Sequence, residues 1–304
     1  MERNSSRREF LRHSTSAAIA LSLGALPACT TNRSPAKKPW FQISLAEWSL
    51  HRALFSKQID HLDFARLSKQ DYGIDAVEYV NQFFMNKAQD RTYLKEMLKR
   101  SEDFGVKNVL IMIDGVGQIG DPDPGKRRTA IENHYPWVEA AKFLGCHAIR
   151  LNAYSSGTFD EQLERCADGL SQVVNFATPL KMNVLVENHG QQSSDGKWVA
   201  ALMRKVHRSN CGTLPDFGNF EKSQDKYQAV ADMMPWAKGV SGKSHDFDAN
   251  GNETTIDYRR MLKIVKDSGY RGYVEAEYEG ERLSEPDGIR ATKRLLETVR
   301  DELA

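Results

Sequence analysis

The chain has 304 residues, 40% hydrophobic and 27% charged, with a formal net charge of +1 at pH 7. That balance is ordinary for a globular protein and supplies no basic field, so it argues against nucleic acid as a partner. Four cysteines (Cys29, Cys146, Cys166 and Cys211) show neither CxxC spacing nor the density of a disulfide framework, and the last three read as buried small hydrophobes.

Taken from the N-terminus, residues 1–29 stand apart from any fold. Ser6-Arg7-Arg8-Glu9-Phe10-Leu11-Arg12 has the twin-arginine pattern, and the weakly apolar run from Ala17 to Leu26 is too short to span a bilayer permanently. Leu26-Pro27-Ala28-Cys29 resembles a bacterial lipobox, whose cysteine is lipidated and becomes the mature N-terminus. The expectation is export by the twin-arginine route and a periplasmic protein held to the membrane only through a lipid on Cys29. Residues 30–39 are polar and proline-containing, a tether.

From Trp40 onward short apolar runs alternate with helically spaced segments about every thirty residues. The pattern predicts strands over 41–46, 74–80, 107–113, 147–152, 182–187, 211–215, 239–243 and 272–277. Helices are predicted over 59–71, 90–104, 126–145, 160–178, 196–208, 225–235, 256–268 and 286–303. Eight strand–helix units without a linker imply a single-domain α/β fold, a (β/α)8 TIM barrel over residues 40–304. In such a barrel chemistry collects where strands end. Polar residues do collect there: Trp48, Glu78, Arg150, Asn152, Glu187, His189, Asp216, Asn219, Lys243, His245, Glu275, Glu277 and Glu279.

Val184-Leu185-Val186 runs into Glu187, and a carboxylate ending an apolar strand needs a partner or a metal. Glu187, Asp216, His245 and Glu277 follow one another at intervals of 29, 29 and 32 residues, close to one strand–helix unit each. Three carboxylates and an imidazole suit one divalent ion, Mn²⁺ first, with Mg²⁺, Co²⁺ or Zn²⁺ as alternatives. Glu275 shares a strand face with Glu277 but lies deeper, which leaves it a competitor as fourth ligand.

The segments Val186-Glu187-Asn188-His189-Gly190, Pro215-Asp216-Phe217-Gly218-Asn219, Lys243-Ser244-His245-Asp246-Phe247-Asp248 and Ala276-Glu277-Tyr278-Glu279-Gly280 resemble the xylose isomerase-like barrel superfamily, also called sugar phosphate isomerase/epimerase. The resemblance implies Glu187, Asp216, His245 and Glu277 as metal ligands. It implies Glu187 and Glu277 as the acid–base pair that moves a proton beside a sugar carbonyl through an enediolate. Isomerisation or epimerisation follows when the proton returns, and a lyase or dehydratase when a β leaving group departs. Glu78, Arg150, Asn152, His189, Lys243, Asn219 and Trp48 are candidates to hold the sugar, and Trp48, Phe83, Phe84 and Trp198 candidates for an apolar wall. Lys243 has a second reading, a buried salt bridge to Glu275.

The substrate expected is an unphosphorylated sugar or keto-sugar, since no Gly-rich phosphate cradle follows strands 7 and 8. Exported relatives in glycoside breakdown act on 3-keto sugars, which the resemblance makes the strongest alternative, a 3-keto-glycoside lyase. A non-catalytic sugar-binding lipoprotein is a further alternative. Gly115-Val116-Gly117-Gln118-Ile119-Gly120 has GxGxxG spacing, but Asp121-Pro122-Asp123-Pro124 follows where a dinucleotide site needs a helix start, so it reads as a flexible loop over the site. The same superfamily includes apurinic endonucleases, whose extra histidines are replaced here by Asn81, Asp114 and Asn219.

Overall fold

The computed structural model describes residues 38–220 and 223–304. The twin-arginine segment, Cys29 and most of the tether lie outside the described residues. Eight strands form the ring: β1 (Gln42–Ala46), β2 (Ala76–Val80), β3 (Lys107–Ile113), β4 (Ala148–Asn152), β5 (Asn183–Glu187), β6 (Cys211–Leu214), β7 (Val240–Ser244) and β8 (Tyr273–Tyr278). The ladder runs β6-β5-β4-β3-β2-β1-β8-β7 and every registered pair is parallel. Its two edges meet through the isolated parallel bridges Thr213↔Ala237 and Asp216↔Ser241. Ser241 N donates to Pro215 O at 2.9 Å and Phe217 N to Ser241 O at 3.1 Å across that join. The result is a single-domain α/β TIM barrel.

The helices on its outside are α1 (His51–Phe55), α2 (Phe64–Tyr72), α3 (Arg91–Asp103), α4 (Pro124–Phe143), α5 (Phe159–Ala177), α6 (Gly196–Val206), α7 (Lys226–Met233), α8 (Tyr258–Asp267) and α9 (Glu285–Glu302). Most start on a side chain that accepts the free N–H groups of the first turn. Asp90, Asp123, Asp195, Asp225, Asp257 and Ser284 do this singly, and Thr158 with Glu161 makes a capping box. α4 begins at Pro124, so the GxGxxG stretch is a loop. It is packed rather than loose: Ile119 is fully buried, and a Cβ on Gly117 would meet Ala130 Cβ at 2.8 Å. The short α1 and the 3-10 turns Glu47–Leu50, Asn81–Phe84 and Gln191–Ser194 are additions to the predicted pattern, each placed directly after a strand or its turn.

The main core lies between ring and helices. A smaller cluster that includes Ala76, Leu110, Met112, Ala148, Leu185 and Leu214 fills the barrel itself. Above that apolar plug the inward-facing positions turn polar, and the site begins. Cys146, Cys166 and Cys211 are buried free thiols. Among the described residues no helix is long and apolar enough to cross a membrane.

Candidate active site

Two strand ends are built on the same device. Asn81, just past β2, donates its amide to Asp114 O and accepts from Asp114 N, both at 2.9 Å. Asn188, just past β5, does the same to Asp216, donating to its carbonyl at 3.0 Å and accepting from its N–H at 2.7 Å. Each clamp fixes the backbone of an aspartate just past the end of the next strand, and each aspartate faces a buried cation.

Around the first aspartate, Asp114 Oδ1 accepts from Arg150 Nη1 at 2.8 Å and from Asn152 Nδ2 at 2.6 Å. The Arg150 Nε lies 2.5 Å from Glu187 Oε2, an ion pair without hydrogen-bond alignment. Burial raises the Asp114 carboxyl, but the Arg150 guanidinium outweighs it and holds the group below the usual carboxylate range. Glu187, sealed at the tip of β5, is raised by burial even against Arg150. Its other oxygen accepts from Asn219 Nδ2 at 3.0 Å.

Around the second aspartate sits Lys243, 1% exposed. Its Nζ lies 3.5 Å from Asp216 Oδ2, 3.4 Å from Glu277 Oε1 and 3.2 Å from Glu279 Oε1, and donates to Asn219 Oδ1 at 3.1 Å. Asn219 therefore joins Glu187 to Lys243. Asp216 Oδ1 is taken by the N–H groups of Gly218 and Asn219 at 2.7 and 2.8 Å. Glu277 accepts from Ser241 Oγ at 2.7 Å, yet burial pushes its carboxyl well up, Lys243 notwithstanding. Burial also pushes Glu279 up, but Lys243 brings it below the ordinary value. Lys243 is the mirror case: burial disfavours its charge, and Asp216, Glu277 and Glu279 together hold it firmly protonated.

A cavity of about 480 Å³ opens over these groups. Of the sequence candidates, Trp48, Arg150, Asn152, His189, Glu277 and Glu279 line it. Glu187, Asp216, Asn219 and Lys243 are not on its wall and stand behind those that are. Glu78 lies deeper still, accepting from Ser44 Oγ at 2.6 Å, and burial with the nearby Glu187 charge pushes it up to about 7. Glu275 is fully buried and pushed well above the usual range by burial and by Glu78. The salt bridge read for Lys243 is made with Asp216, Glu277 and Glu279, not with Glu275.

His245 follows β7. The register pairs Lys243 with Glu277 and Ser244 with Tyr278, and Glu279 N donates to Ser244 O at 3.0 Å, so His245 stands a layer above Glu277, level with Glu279. The apolar wall is also corrected. Trp48 lines the cavity and Phe83 packs on it, with ring centroids 6.0 Å apart. Phe84 and Trp198 belong to the main core, Phe84 stacked on His61 and Trp198 completely buried on α6.

Groups that carry no obvious sequence signal complete the site. Tyr154 Oη lies 2.7 Å from His189 Nδ1 and donates to His189 O at 2.6 Å. Ser44 and Ser241 are small polar residues inside apolar strands, each bonded to a glutamate on a neighbouring strand. Asn188, with Asn81, is the backbone clamp.

A family profile described as xylose isomerase-like TIM barrel matches residues 68–299. The chain belongs to that family. Among curated relatives, the C-glycoside deglycosidase alpha subunit of Arthrobacter globiformis is 39% identical over 66 residues, 21% of this chain and 19% of that protein. Like it, the other deglycosidase subunits are matched over only 13–14% of their own length. Among solved structures, 3-keto-D-glucoside 4-epimerase YcjR from E. coli superposes with TM-score 0.63 at 16% identity, covering 85% of this chain and 99% of that one. The IolI protein with a bound zinc atom superposes with TM-score 0.66 at 14% identity, covering 86% and 99%. Both likenesses are of fold.

The IolI structure holds zinc, and carboxylates with an imidazole are donors of the right kind for such an ion. The arrangement is not. Among the described residues no three His, Cys, Asp or Glu side chains converge as a cation cage. Asp216 and Glu277 point at an ammonium and Glu187 at a guanidinium, while the His245 backbone stands level with Glu279 and its Nε2 comes within 3.1 Å of the Cβ position of Gly218. The residues as they stand do not fit an ion held by Glu187, Asp216, His245 and Glu277.

Proposed function

We propose that this chain is an enzyme that removes a proton from the carbon beside the carbonyl of an unphosphorylated sugar or keto-sugar. The observation that carries this reading is Glu277. It is a nearly dry carboxylate on the cavity wall, raised by burial above the ordinary carboxylate range and held by Ser241 on one oxygen and Lys243 on the other. Glu277 takes the proton. Arg150, fixed by Asp114 and lining the cavity, faces the oxygen on which negative charge develops. Trp48 offers a ring to one face of the sugar.

Isomerisation or epimerisation depends on where the proton returns. Glu187, the second glutamate expected from the sequence, is behind Arg150. Return to the opposite face therefore needs a shift of Arg150, or falls to His189, which lines the cavity and is held by Tyr154.

The second reading is β-elimination from a 3-keto-glycoside. The deglycosidase match favours it, and so does a neighbouring groove of about 420 Å³ lined by Phe55, Phe83 and Tyr93, which shares Gln82 with the main cavity and has room for an aglycone. The deciding experiment is NMR in D₂O with aldoses, ketoses and 3-keto-glucosides. Deuterium beside the carbonyl with the skeleton intact is expected for an isomerase or epimerase, and loss of the aglycone for a lyase. Neither exchange nor aglycone loss with any sugar would sink both and leave a sugar-binding protein. We carry the lipid-anchored, exported placement as part of the proposal: Cys29→Ser is expected to move the protein from the membrane to the soluble fraction.

A further inference from the structure

The cation in this site is covalently part of the chain: it is the ammonium of Lys243. Three features of Lys243 are independent of one another. The first is height. Register puts Lys243 opposite Glu277, with Asp216 beside Ser241 one layer below and Glu279 one layer above, so β7 presents its lysine between the layers from which the carboxylates reach it. The histidine read from sequence as ligand comes two residues later and a layer higher.

The second feature is coordination. Four oxygens, from Asp216, Asn219, Glu277 and Glu279, surround Nζ at 3.1–3.5 Å. That is the spacing of an ammonium with its three donors, against about 2.0–2.6 Å for a metal–oxygen bond. The third feature is the room made for the stem. A Cβ on Gly218 would come within 2.9 Å of Lys243 Cγ, 3.0 Å of its Cδ and 3.1 Å of His245 Nε2, so the glycine after Asp216-Phe217 leaves the space that the lysine stem fills beside the imidazole. Tyr258 Oη donates to the carbonyls of both Gly242 and Lys243, at 2.7 and 2.8 Å, and pins the backbone from which that stem rises.

We propose that the Lys243 ammonium takes the seat that a divalent ion holds in metal-binding members of the family, so that this barrel gathers Asp216, Glu277 and Glu279 around its own lysine and binds no stoichiometric metal. Lys243 is not on the cavity wall. It acts as a positioning residue, holding Glu277 and supplying fixed positive charge beneath the reacting carbons. The charge role rests on the proposed sugar chemistry; the seat does not, and the test reads it without any substrate.

Full-length protein is incubated with excess Mn²⁺, Co²⁺ or Zn²⁺, desalted, and its metal content measured by elemental analysis alongside its thermal midpoint. Wild type is expected to retain trace metal and to show no Mn²⁺-dependent rise in midpoint. Lys243→His, which restores an imidazole at that height, is expected to rise to near one equivalent, and a further Asp216→Asn change to abolish the gain. Lys243→Met covers the case in which Lys243→His does not fold: its midpoint is expected to rise with Mn²⁺ where that of wild type does not. Stoichiometric metal in wild type that Asp216→Asn or Glu277→Gln removes would overturn the proposal. So would a folded Lys243→His chain that takes up none, or a wild-type midpoint that rises as much as that of Lys243→Met.

Discussion

The two halves of the barrel rim solve one electrostatic problem with the same first move and different second moves. In each, an asparagine past a strand end clamps an aspartate backbone, Asn81 on Asp114 and Asn188 on Asp216. The first half then answers with arginine, whose planar fork reaches two carboxylates and still shows a face to the cavity. The second answers with lysine, a compact charge drawn inside and enclosed by oxygens. A fork suits a group that must also meet a substrate, and a point charge suits one that must only be surrounded. On the proposed function, the difference divides the rim into a face that recognises the sugar and a floor that holds the base.

That division can be broken in order of expected effect. Glu277→Gln is expected to lower turnover by about 10²–10⁴-fold with the fold intact, the usual contribution of a positioned base. Steady-state kinetics on whichever sugar exchanges deuterium would read it, and unchanged kcat would remove Glu277 from the chemistry. Lys243→Met leaves three carboxylates facing one another in a dry site and is expected to cost about 3–5 kcal/mol in urea unfolding. A loss below that of Arg150→Met would mean that the lysine half is not the more closely knit one.

Glu78 tests the floor beneath both halves. Its carboxyl keeps its proton to about pH 7 when folded but ionises near 4.5 when unfolded. The folded chain therefore holds an extra proton between those values. The associated stability is complete below pH 4.5 and lost as pH rises through 7, on the order of 3 kcal/mol in all. Glu78→Gln is expected to gain on wild type as pH rises from 5 to 8, and unfolding curves of parallel slope across that range would refute it. Smaller again, Asn188→Ala and Asn81→Ala are each expected to cost about 1–3 kcal/mol by leaving clamped backbone groups unpaired. Asn188→Ala should also loosen Asp216 against Lys243. Lys99→Ala, at an exposed pair with Asp103, is expected to leave the thermal midpoint where it was.

Strand–helix alternation was readable because each βα unit repeats an apolar run and a capped amphipathic stretch; the eight strands fall within two residues of their predicted ends. The short α1 and the 3-10 turns escaped because three to five residues give periodicity too little length. At the site, alternation along β7 puts Lys243 and His245 on one face but says nothing of their height relative to β8. Height comes from inter-strand register, which one strand's sequence does not contain, and it separates the histidine from the layer of Glu277. Ser44 and Ser241 were illegible for a related reason: a serine in an apolar strand becomes informative only when the strand opposite is known to carry a glutamate. Trp198 looked like a wall residue by type and proved to be core by position.

The join between β6 and β7 has a consequence for motion. Two isolated bridges close the ring there, whereas β4 and β5 share five registered pairs. Asp216 and Lys243 sit on opposite lips of that seam, so their ion pair also serves as a clasp. Local opening of a fold starts where fewest backbone bonds must be released together. The amide protons of Phe217 and Ser241, which bond across the seam, are therefore expected to exchange with solvent earlier than those along β4 and β5, and a sugar held by Glu277 and its neighbours is expected to slow them. The weakest line of the barrel would then report, proton by proton, whether its cavity is filled.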